Sequence, residues 1–364
     1  MTILDIEIIS YLTIERVVNA YFTTLSLSKS YMKNLMSIFS LLILMACSSK
    51  ETSPIKKLIA VDSLNIELGM PTLIKATNNQ LFVNNSFTGT YFIDVIDLKG
   101  DSIQYSFATR GQGPHEFLQI TSLDIYPDND KWYIQLFDNL QRKVVIYSID
   151  SLNYYQGKCI PMMEMKAPVD SRFLEIYKLS KGYIATGRTE KKFTFLDDSL
   201  SIQNMYGDYL TRKNNNDDFT ILSKANYGRL SLDENRTHLL SVIFMSGIIS
   251  QYTILENEIS KEWDYIYSDF DYTLKGDMII QQSPTGYLAA NFWDKDILAL
   301  YSGEKKQKST NFAKEFHRFD ANGKLIGKYA VDSKLFNFCV LPNTNFIYAI
   351  SYESDPKILL FKLD

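Results

Sequence analysis

Residues 91–101 read YFIDVIDLKGD, an aromatic and apolar run that alternates with polar side chains and ends in an acidic turn with a glycine. A run of this kind that enters an Asp-, Asn- or Gly-containing turn is typical of a β-hairpin strand. A second apolar run, QLFVN at residues 80–84, precedes it after a short polar stretch. The two runs predict a hairpin, and a lone hairpin is too small to bury its apolar face.

The same two-strand module recurs along the chain. Its first strand is found at residues 80–84, 131–135, 182–186, 238–242, 286–290 and 345–349. Its second strand and turn are found at residues 91–101, 143–152, 192–200, 250–259, 315–324 and 357–364. Successive modules lie about 50 to 60 residues apart, which is the repeat length expected when one repeat is one propeller blade. Six such sheets bury their apolar faces when they pack radially, so we predict an all-β, six-bladed β-propeller over residues 58–364.

Two other all-β folds are alternatives to the propeller. A β-sandwich has no sustained period near 50 residues, and a β-helix has a much shorter repeat. Six blades also fit the number of modules better than five or seven. The 24 tyrosines and 22 phenylalanines agree with this fold class, because aromatic side chains suit half-buried, pleated surfaces.

The last module stops at Asp364, before a fourth strand. Residues 58–67 form a strand-like segment that has no blade of its own. We therefore predict that this N-terminal strand pairs within the last blade and closes the ring.

The N-terminal region has the three parts of a secretory signal. Lys33 supplies a positive charge, residues 35–45 form an apolar run too short to span a bilayer, and Leu-Met-Ala precedes Cys47. The ending resembles a bacterial lipobox, which implies lipid attachment to Cys47. We predict a signal peptide at residues 32–46 and a polar tether at residues 47–57. Residues 1–31 carry acidic side chains where a signal should be basic, so we predict that translation starts at Met32 and that 1–31 is a mis-called extension.

One part of the chain carries a sharper motif. It runs from GQGPHEF at residues 111–117, through SLDI at 122–125 and WYI at 132–134, to DNLQRKV at 138–144. This resembles an NHL-type blade, although His115 stands where that pattern more often has glycine. With the lipobox and six modules, the chain resembles the TolB-like six-bladed propeller lipoproteins of Bacteroidota. The resemblance implies a lipid anchor in the cell envelope, at the periplasmic or surface face of the outer membrane.

The same motif contains the candidate ligand-binding residues. Arg110, His115 and Glu116 lie where the chain crosses between two blades, near one rim, and Phe117 is expected to fill the space between those blades. Trp293, in the aromatic cluster at residues 291–294, is the fourth candidate. The alternative for the first three is a purely blade-connecting role, and for Trp293 it is inter-blade packing.

Other patterns exclude some functions. The formal net charge is −4 and no clustered basic face is evident, so we predict no nucleic-acid partner. His115, His238 and His317 have no metal-ligand spacing, and the motifs of the serine hydrolases and nucleotide-binding proteins are missing. Cys159 and Cys339 are expected to be small buried side chains, with a disulfide as the alternative.

These observations predict a membrane-anchored propeller lipoprotein that acts as a binding or scaffolding module for a protein, a peptide or a saccharide. No catalytic residue, metal or cofactor is predicted. The alternative is a lactonase-like hydrolase or lyase that holds a divalent cation in the central channel through oxygen ligands. Its candidate ligands would be Asn84, Asn85, Asp138, Asn139 and Asn291.

Overall fold

The computed structural model describes residues 54–64, 66–86, 89–212, 217–256, 258–305, 312–353 and 355–363. The predicted extension at 1–31, the signal peptide at 32–46, Cys47 and most of the tether lie outside these residues. The described chain is built almost wholly of antiparallel sheets arranged as six blades around an axis, as predicted. None of the helices within these ranges has the length and hydropathy needed to cross a bilayer.

The described part of the chain begins with two short strands, β1 (Ile55–Lys57) and β2 (Ala60–Leu64). Four separate four-stranded blades follow, and the strands of each run in order from the axis outward. Blade 1 contains β3 (Pro71–Ala76), β4 (Gln80–Asn85), β5 (Tyr91–Asp97) and β6 (Ser102–Thr109). Blade 2 contains β7 (Ile120–Asp128), β8 (Lys131–Asp138), β9 (Lys143–Ser148) and β10 (Met163–Lys166).

Blades 3 and 4 are separated by an insertion. Blade 3 contains β11 (Phe173–Lys178), β12 (Tyr183–Gly187), β13 (Phe193–Leu196) and β14 (Ile202–Tyr206). Blade 4 contains β15 (Gly228–Leu232), β16 (His238–Ile243), β17 (Ile248–Leu255) and β18 (Glu258–Ile266). Two short helices, α1 (Ile149–Tyr154) and α2 (Phe219–Ala225), lie within blade 2 and between blades 3 and 4. A hairpin of β19 (Tyr272–Lys275) and β20 (Met278–Gln281) follows blade 4.

The last two blades share one long strand. They are formed by β21 (Tyr287–Trp293), β22 (Asp296–Tyr301), β23 (Ala313–Phe319), β24 (Leu325–Val340), β25 (Phe346–Tyr352) and β26 (Pro356–Lys362). The first half of β24 pairs with β23 as the outer strand of blade 5. Its second half pairs with β25 as the inner strand of blade 6.

The N-terminal strand closes the ring, which confirms the prediction for residues 58–67. Strand β2 pairs antiparallel with β26, so that Ala60 lies opposite Phe361 and Leu64 opposite Ile358. Strand β1 pairs parallel with the first half of β24. The propeller therefore begins at Ile55, three residues before the predicted start, and its first two strands hold blades 5 and 6 together.

Polar side chains join neighbouring blades near the axis. Each of these amide groups donates a hydrogen bond to a main-chain carbonyl of the next blade: Asn84 to Ile120 at 3.1 Å, Gln135 to Ile176 at 2.6 Å, Asn291 to Phe338 at 3.1 Å, and Asn337 to Thr72 at 3.0 Å. Between blades 3 and 4, the Glu175 carboxyl accepts from the Leu230 amide at 3.1 Å. These bonds satisfy buried backbone groups and fix the blades in register.

The fifth module departs from the prediction. The spacing matches residues 286–290 to β4, the second strand of blade 1, but they belong to β21, the innermost strand of blade 5. The matching strand is β22. The β19–β20 hairpin adds residues between blades 4 and 5. The apolar run that lies one repeat length after residues 238–242 is therefore the first strand of blade 5 and not the second.

The acidic turns have a direct physical cause. The Asp197 carboxylate accepts hydrogen bonds from the amides of Ser199 and Ser201, at 2.8 and 2.9 Å. Asp320 does the same for Asn322 and Lys324. Because an aspartate side chain satisfies the amides of a tight turn, the predicted hairpins at residues 192–200 and 315–324 end where they do.

Candidate functional site

All six inner strands begin at the same end of the ring, which we call the upper face. Because strands alternate in direction, the loops between the second and third strands of each blade lie on this face too. The loop that joins blade 1 to blade 2 contains the predicted residues Arg110, His115 and Glu116.

Arg110 fastens this loop to blade 1. Its Nε donates to the Gly89 carbonyl at 2.9 Å and its Nη2 to the Asn85 carbonyl at 2.6 Å. The guanidinium carbon lies 3.7 Å from the centre of the Phe92 ring, within cation–π range. The side chain is thus engaged by its own blade.

Glu116 holds the loop closed. Its Oε2 accepts from the Gly113 amide at 2.7 Å. Gly111 has a φ of +153°, which residues with side chains rarely adopt, and a Cβ there would displace the Glu116 carboxylate. The main-chain carbonyl of Glu116 accepts from the buried Lys143 ammonium. Phe117 follows with no exposed surface in the core between blades 1 and 2, which confirms its predicted packing role.

His115 adopts a left-handed backbone conformation with φ of +59°. This explains why the related pattern favours glycine at its position. Its Nδ1 lies 2.7 Å from Oε2 of Glu164 on β10, and the other oxygen of Glu164 lies 3.7 Å from Lys143 Nζ. The three predicted residues therefore share one loop, and the contacts of each are those of a blade connector.

Trp293 lies on a different side of the ring. It ends β21 at the opposite, lower face and is 8% exposed, within the core of blades 5 and 6. Its Nε1 donates to the Thr344 carbonyl at 2.9 Å, and the Arg318 guanidinium lies 4.7 Å above its ring. Burial leaves no ring face free, so the structure favours the inter-blade packing alternative.

The upper mouth of the central channel carries an aromatic rim that sequence reading missed. Its members come from the starts of inner strands and from loops of blades 4, 5 and 6: Tyr227, Phe244, Phe312, Phe336 and Tyr352. Tyr227 is 41% exposed and packs edge-on against Phe244, with ring centres 5.1 Å apart. Phe336 packs against Tyr352 at 5.8 Å. Ring faces and edges remain accessible at this mouth.

Arg229, the second residue of β15, joins the two halves of this rim. Its guanidinium carbon lies 6.0 Å from the ring centres of both Phe244 and Phe336, at the outer limit of cation–π attraction. Within the described part of the chain, its guanidinium has no carboxylate within 4.0 Å. A half-buried guanidinium so placed keeps hydrogen-bond donors available at the axis.

Glu175 lies next to it on β11 and is only 2% exposed. Burial raises the pKa of this carboxyl to about 7, against the opposing effects of the Arg229 charge, the Leu230 amide, the Lys75 charge and the Tyr177 hydroxyl. The cause of the shift is that burial disfavours the charged form of an acid.

A buried ion pair joins blades 2 and 4 in the lower part of the ring. Arg236, in the first hairpin of blade 4, reaches Asp124 of blade 2, with Nη1 and Oδ2 2.6 Å apart. Its Nη2 donates to the Ile125 carbonyl at 3.0 Å. Both side chains are less than a tenth exposed.

The enzyme alternative requires a divalent cation in the central channel. Such an ion needs several oxygen atoms converging on one point. At the axis stand the cations Arg229 and Lys75, beside a carboxyl with a pKa of about 7. Across the residues that the structure describes, no group of three or more His, Cys, Asp or Glu side chains has metal-binding geometry. The candidate ligands Asn84 and Asn291 instead hold neighbouring blades.

The prediction that both cysteines are buried is confirmed for Cys339 and is wrong for Cys159, which is only partly buried. Cys159 and Cys339 are free thiols, and Cys339 is 2% exposed. Burial raises the pKa of Cys339 to about 12. Cys159 is half-buried against the core of blades 1 and 2.

Comparisons with known proteins agree with this architecture. A family model described as TolB-like 6-blade propeller-like matches residues 49–343. A comparison with curated protein sequences gave no match.

Solved structures show the same fold at low identity. A protein of the duf4221 family from Bacteroides vulgatus ATCC 8482 is 11% identical with a TM-score of 0.54, covering 86% of this chain and 97% of that one. A Bacteroides fragilis NCTC 9343 protein, whose name places it among exported proteins, is 14% identical with a TM-score of 0.51, covering 86% and 92%. The Cps50 (Swd1) propeller of Myceliophteria thermophila is 12% identical with a TM-score of 0.51, covering 84% and 99%.

The six blades, the closure by β2 and a family match that spans most of the propeller lead to one conclusion: this chain belongs to the TolB-like six-bladed propeller family.

Proposed function

We propose that this chain is a lipid-anchored binding module of the bacterial cell envelope that takes its ligand at the upper mouth of the channel. The observation that carries the proposal is the Arg229 guanidinium, framed by aromatic rings of blades 4 and 6 at the axis. Propellers commonly bind ligands where loops of several blades meet, and fold alone does not select the ligand.

The anchor is supported by the sequence. Residues 32–46 have the pattern of a signal peptide and Cys47 that of a lipidated cysteine. Only a short polar tether separates Cys47 from β1 at Ile55. One structural neighbour from Bacteroides is named as exported, which agrees with an envelope location. We place the protein at the outer membrane.

The ligand is proposed to be a protein, a peptide or a saccharide, and the role a non-enzymatic one. Exposed aromatic rings give broad contact surface at a small cost in side-chain entropy, and both peptides and sugar rings present faces that pack on them. The Arg229 guanidinium adds directional hydrogen bonds.

A ligand screen tests the binding role. Detergent-purified mature protein is applied to peptide and glycan arrays, beside the variants Tyr227→Ala on the rim and Tyr154→Ala as control. Tyr154 is an 80% exposed tyrosine of α1, away from the mouth. We expect ligands that bind wild type and Tyr154→Ala equally and lose at least about tenfold in affinity with Tyr227→Ala. Equal binding by Tyr227→Ala, or no ligand at all, counts against the proposal.

A labelling experiment tests the anchor. Cells fed an alkyne fatty acid should incorporate it into wild type and into Cys159→Ala, and not into Cys47→Ala. Incorporation into Cys47→Ala, or none into wild type, would refute lipidation at Cys47. Peptides from residues 1–31 in the native protein would refute translation from Met32.

A further inference from the structure

We propose that the group recognised at the mouth is a carboxylate, bound by the free edge of the Arg229 guanidinium. This inference rests on the proposed function, since it presumes that the ligand enters the upper mouth. It names the chemistry of the ligand, which neither the family nor the fold specifies.

The Arg229 guanidinium lies between two aromatic rings. Phe244 and Phe336 lie 6.0 Å from Arg229 Cζ, from opposite sides of blade 5. Attraction to the rings restrains the guanidinium without using its N–H groups. A planar guanidinium with free N–H groups matches the two oxygens of a carboxylate through parallel hydrogen bonds.

Two basic side chains and one buried carboxyl lie near the axis. Arg229 and Lys75 both act on Glu175 electrostatically, so two cationic groups face one carboxyl. Glu175 lies too far from Arg229 for an ion pair, and its Oε2 is already engaged by the Leu230 amide at 3.1 Å. Within the described residues, the half-buried Arg229 charge therefore has no carboxylate within 4.0 Å, because the arginine ion pairs are those of Arg212, Arg236 and Arg318. An incoming anion compensates the Arg229 charge, and low exposure strengthens the attraction.

The aromatic rings near Arg229 indicate what the carboxylate is attached to. Phe244 and Phe336 flank the guanidinium, and Tyr227 packs on Phe244; these rings favour a carboxylate attached to a flat or apolar group. Inorganic phosphate has the charge but lacks such a group and is strongly hydrated. The site is thus suited to an organic acid such as a peptide carboxylate or a uronic acid.

The test uses small matched probes. Protein labelled with ¹⁵N at arginine is titrated with benzoate, benzamide and inorganic phosphate at constant ionic strength, and the arginine Nε–H signals are followed by NMR. The Arg229 signal is identified by its loss in Arg229→Gln. We expect it to shift saturably with benzoate and at least tenfold more weakly with benzamide and phosphate.

Two variants control the experiment. Arg188→Gln removes an exposed arginine from the same face and should leave benzoate binding unchanged. Arg229→Gln should abolish it while the melting temperature stays within a few degrees of wild type. A shift that does not saturate, equal binding of benzamide, tighter binding of phosphate, or benzoate binding retained in Arg229→Gln would each overturn the inference.

The array results separate this inference from the proposed function. If Tyr227-dependent ligands are found and all are neutral, the binding role stands and the carboxylate inference falls. If acids and their amides are both bound, and only when Tyr227 and Arg229 are intact, the binding role again stands and the carboxylate inference again falls. Among acidic ligands, glucuronate tested beside glucose, and a free-acid peptide beside its amide, show which source supplies the carboxylate.

Discussion

Replacing Glu175 by glutamine should change how the stability of the propeller depends on pH. The side chain is 2% exposed on β11 and faces Arg229, Lys75, Tyr177 and the Leu230 amide. Glutamine keeps the shape and an oxygen for the amide hydrogen bond, but it carries no ionisable group. The variant therefore isolates the cost of ionising a buried carboxyl.

The size and sign follow from the pKa of Glu175, which burial raises from 4.5 to about 7. Because the folded state holds its proton more tightly than the unfolded state, the free energy of unfolding falls as pH rises from about 4.5 to about 7. At about 1.4 kcal/mol per pH unit, this carboxyl costs up to about 3 kcal/mol above pH 7. Glu175→Gln should match wild type near pH 4.5 and exceed it at pH 8.

Urea unfolding at pH 5, 6, 7 and 8 measures this directly. The control is Glu256→Gln, which removes a fully exposed carboxyl whose pKa is lowered by Lys181 and so titrates below the range studied. Glu256→Gln should follow the wild-type profile. If the free energy of unfolding of Glu175→Gln falls between pH 5 and pH 8 by as much as that of wild type, ionisation of Glu175 does not carry the predicted cost.

Three further perturbations are expected to act as follows. Asp124→Asn should lower the free energy of unfolding by about 3 kcal/mol or more, because Arg236 is left buried and unpaired. Adding Arg236→Met should recover part of this loss. An unchanged urea midpoint for Asp124→Asn would contradict a stabilising ion pair between Asp124 and Arg236. Deleting residues 55–68 should abolish the cooperative melting transition, and a normal calorimetric peak would speak against closure by β2. Cys339 should resist iodoacetamide at pH 8 until the protein unfolds, since its thiolate is disfavoured; labelling of the native protein, detected by mass spectrometry, would contradict its burial.

The fold was largely predictable because its signal is repeated. Each blade contains short apolar runs, four of the six modules lead into an Asp-rich or Asn-Gly turn, and six copies make the period visible despite weak individual modules. The register of blade 5 was not predictable, because the β19–β20 hairpin breaks the spacing and β21 and β22 are both short apolar strands. Local patterns carry no information on which of two such strands lies at the axis.

The candidate site was not predictable in the same way. Glu175, Arg229 and Phe336 are far apart in sequence, and the last two look like ordinary strand residues. Only the closed ring brings them to one mouth. The contiguous motif at residues 110–117 was visible in the sequence, and its contacts are those of a blade connection. A charged residue inside an otherwise apolar inner strand, as at Glu175, was the one local signal available.

The position of a bound ligand in a crystal structure would show whether the upper mouth is the binding site. A crystal structure of the protein with a carboxylate-bearing ligand taken from the arrays should show the carboxylate against Arg229, with the remainder of the ligand on Tyr227, Phe244 or Phe336. Ligand density beside His115 and Glu164, or on the outer edge of a blade, with the upper mouth holding solvent only, would contradict the account.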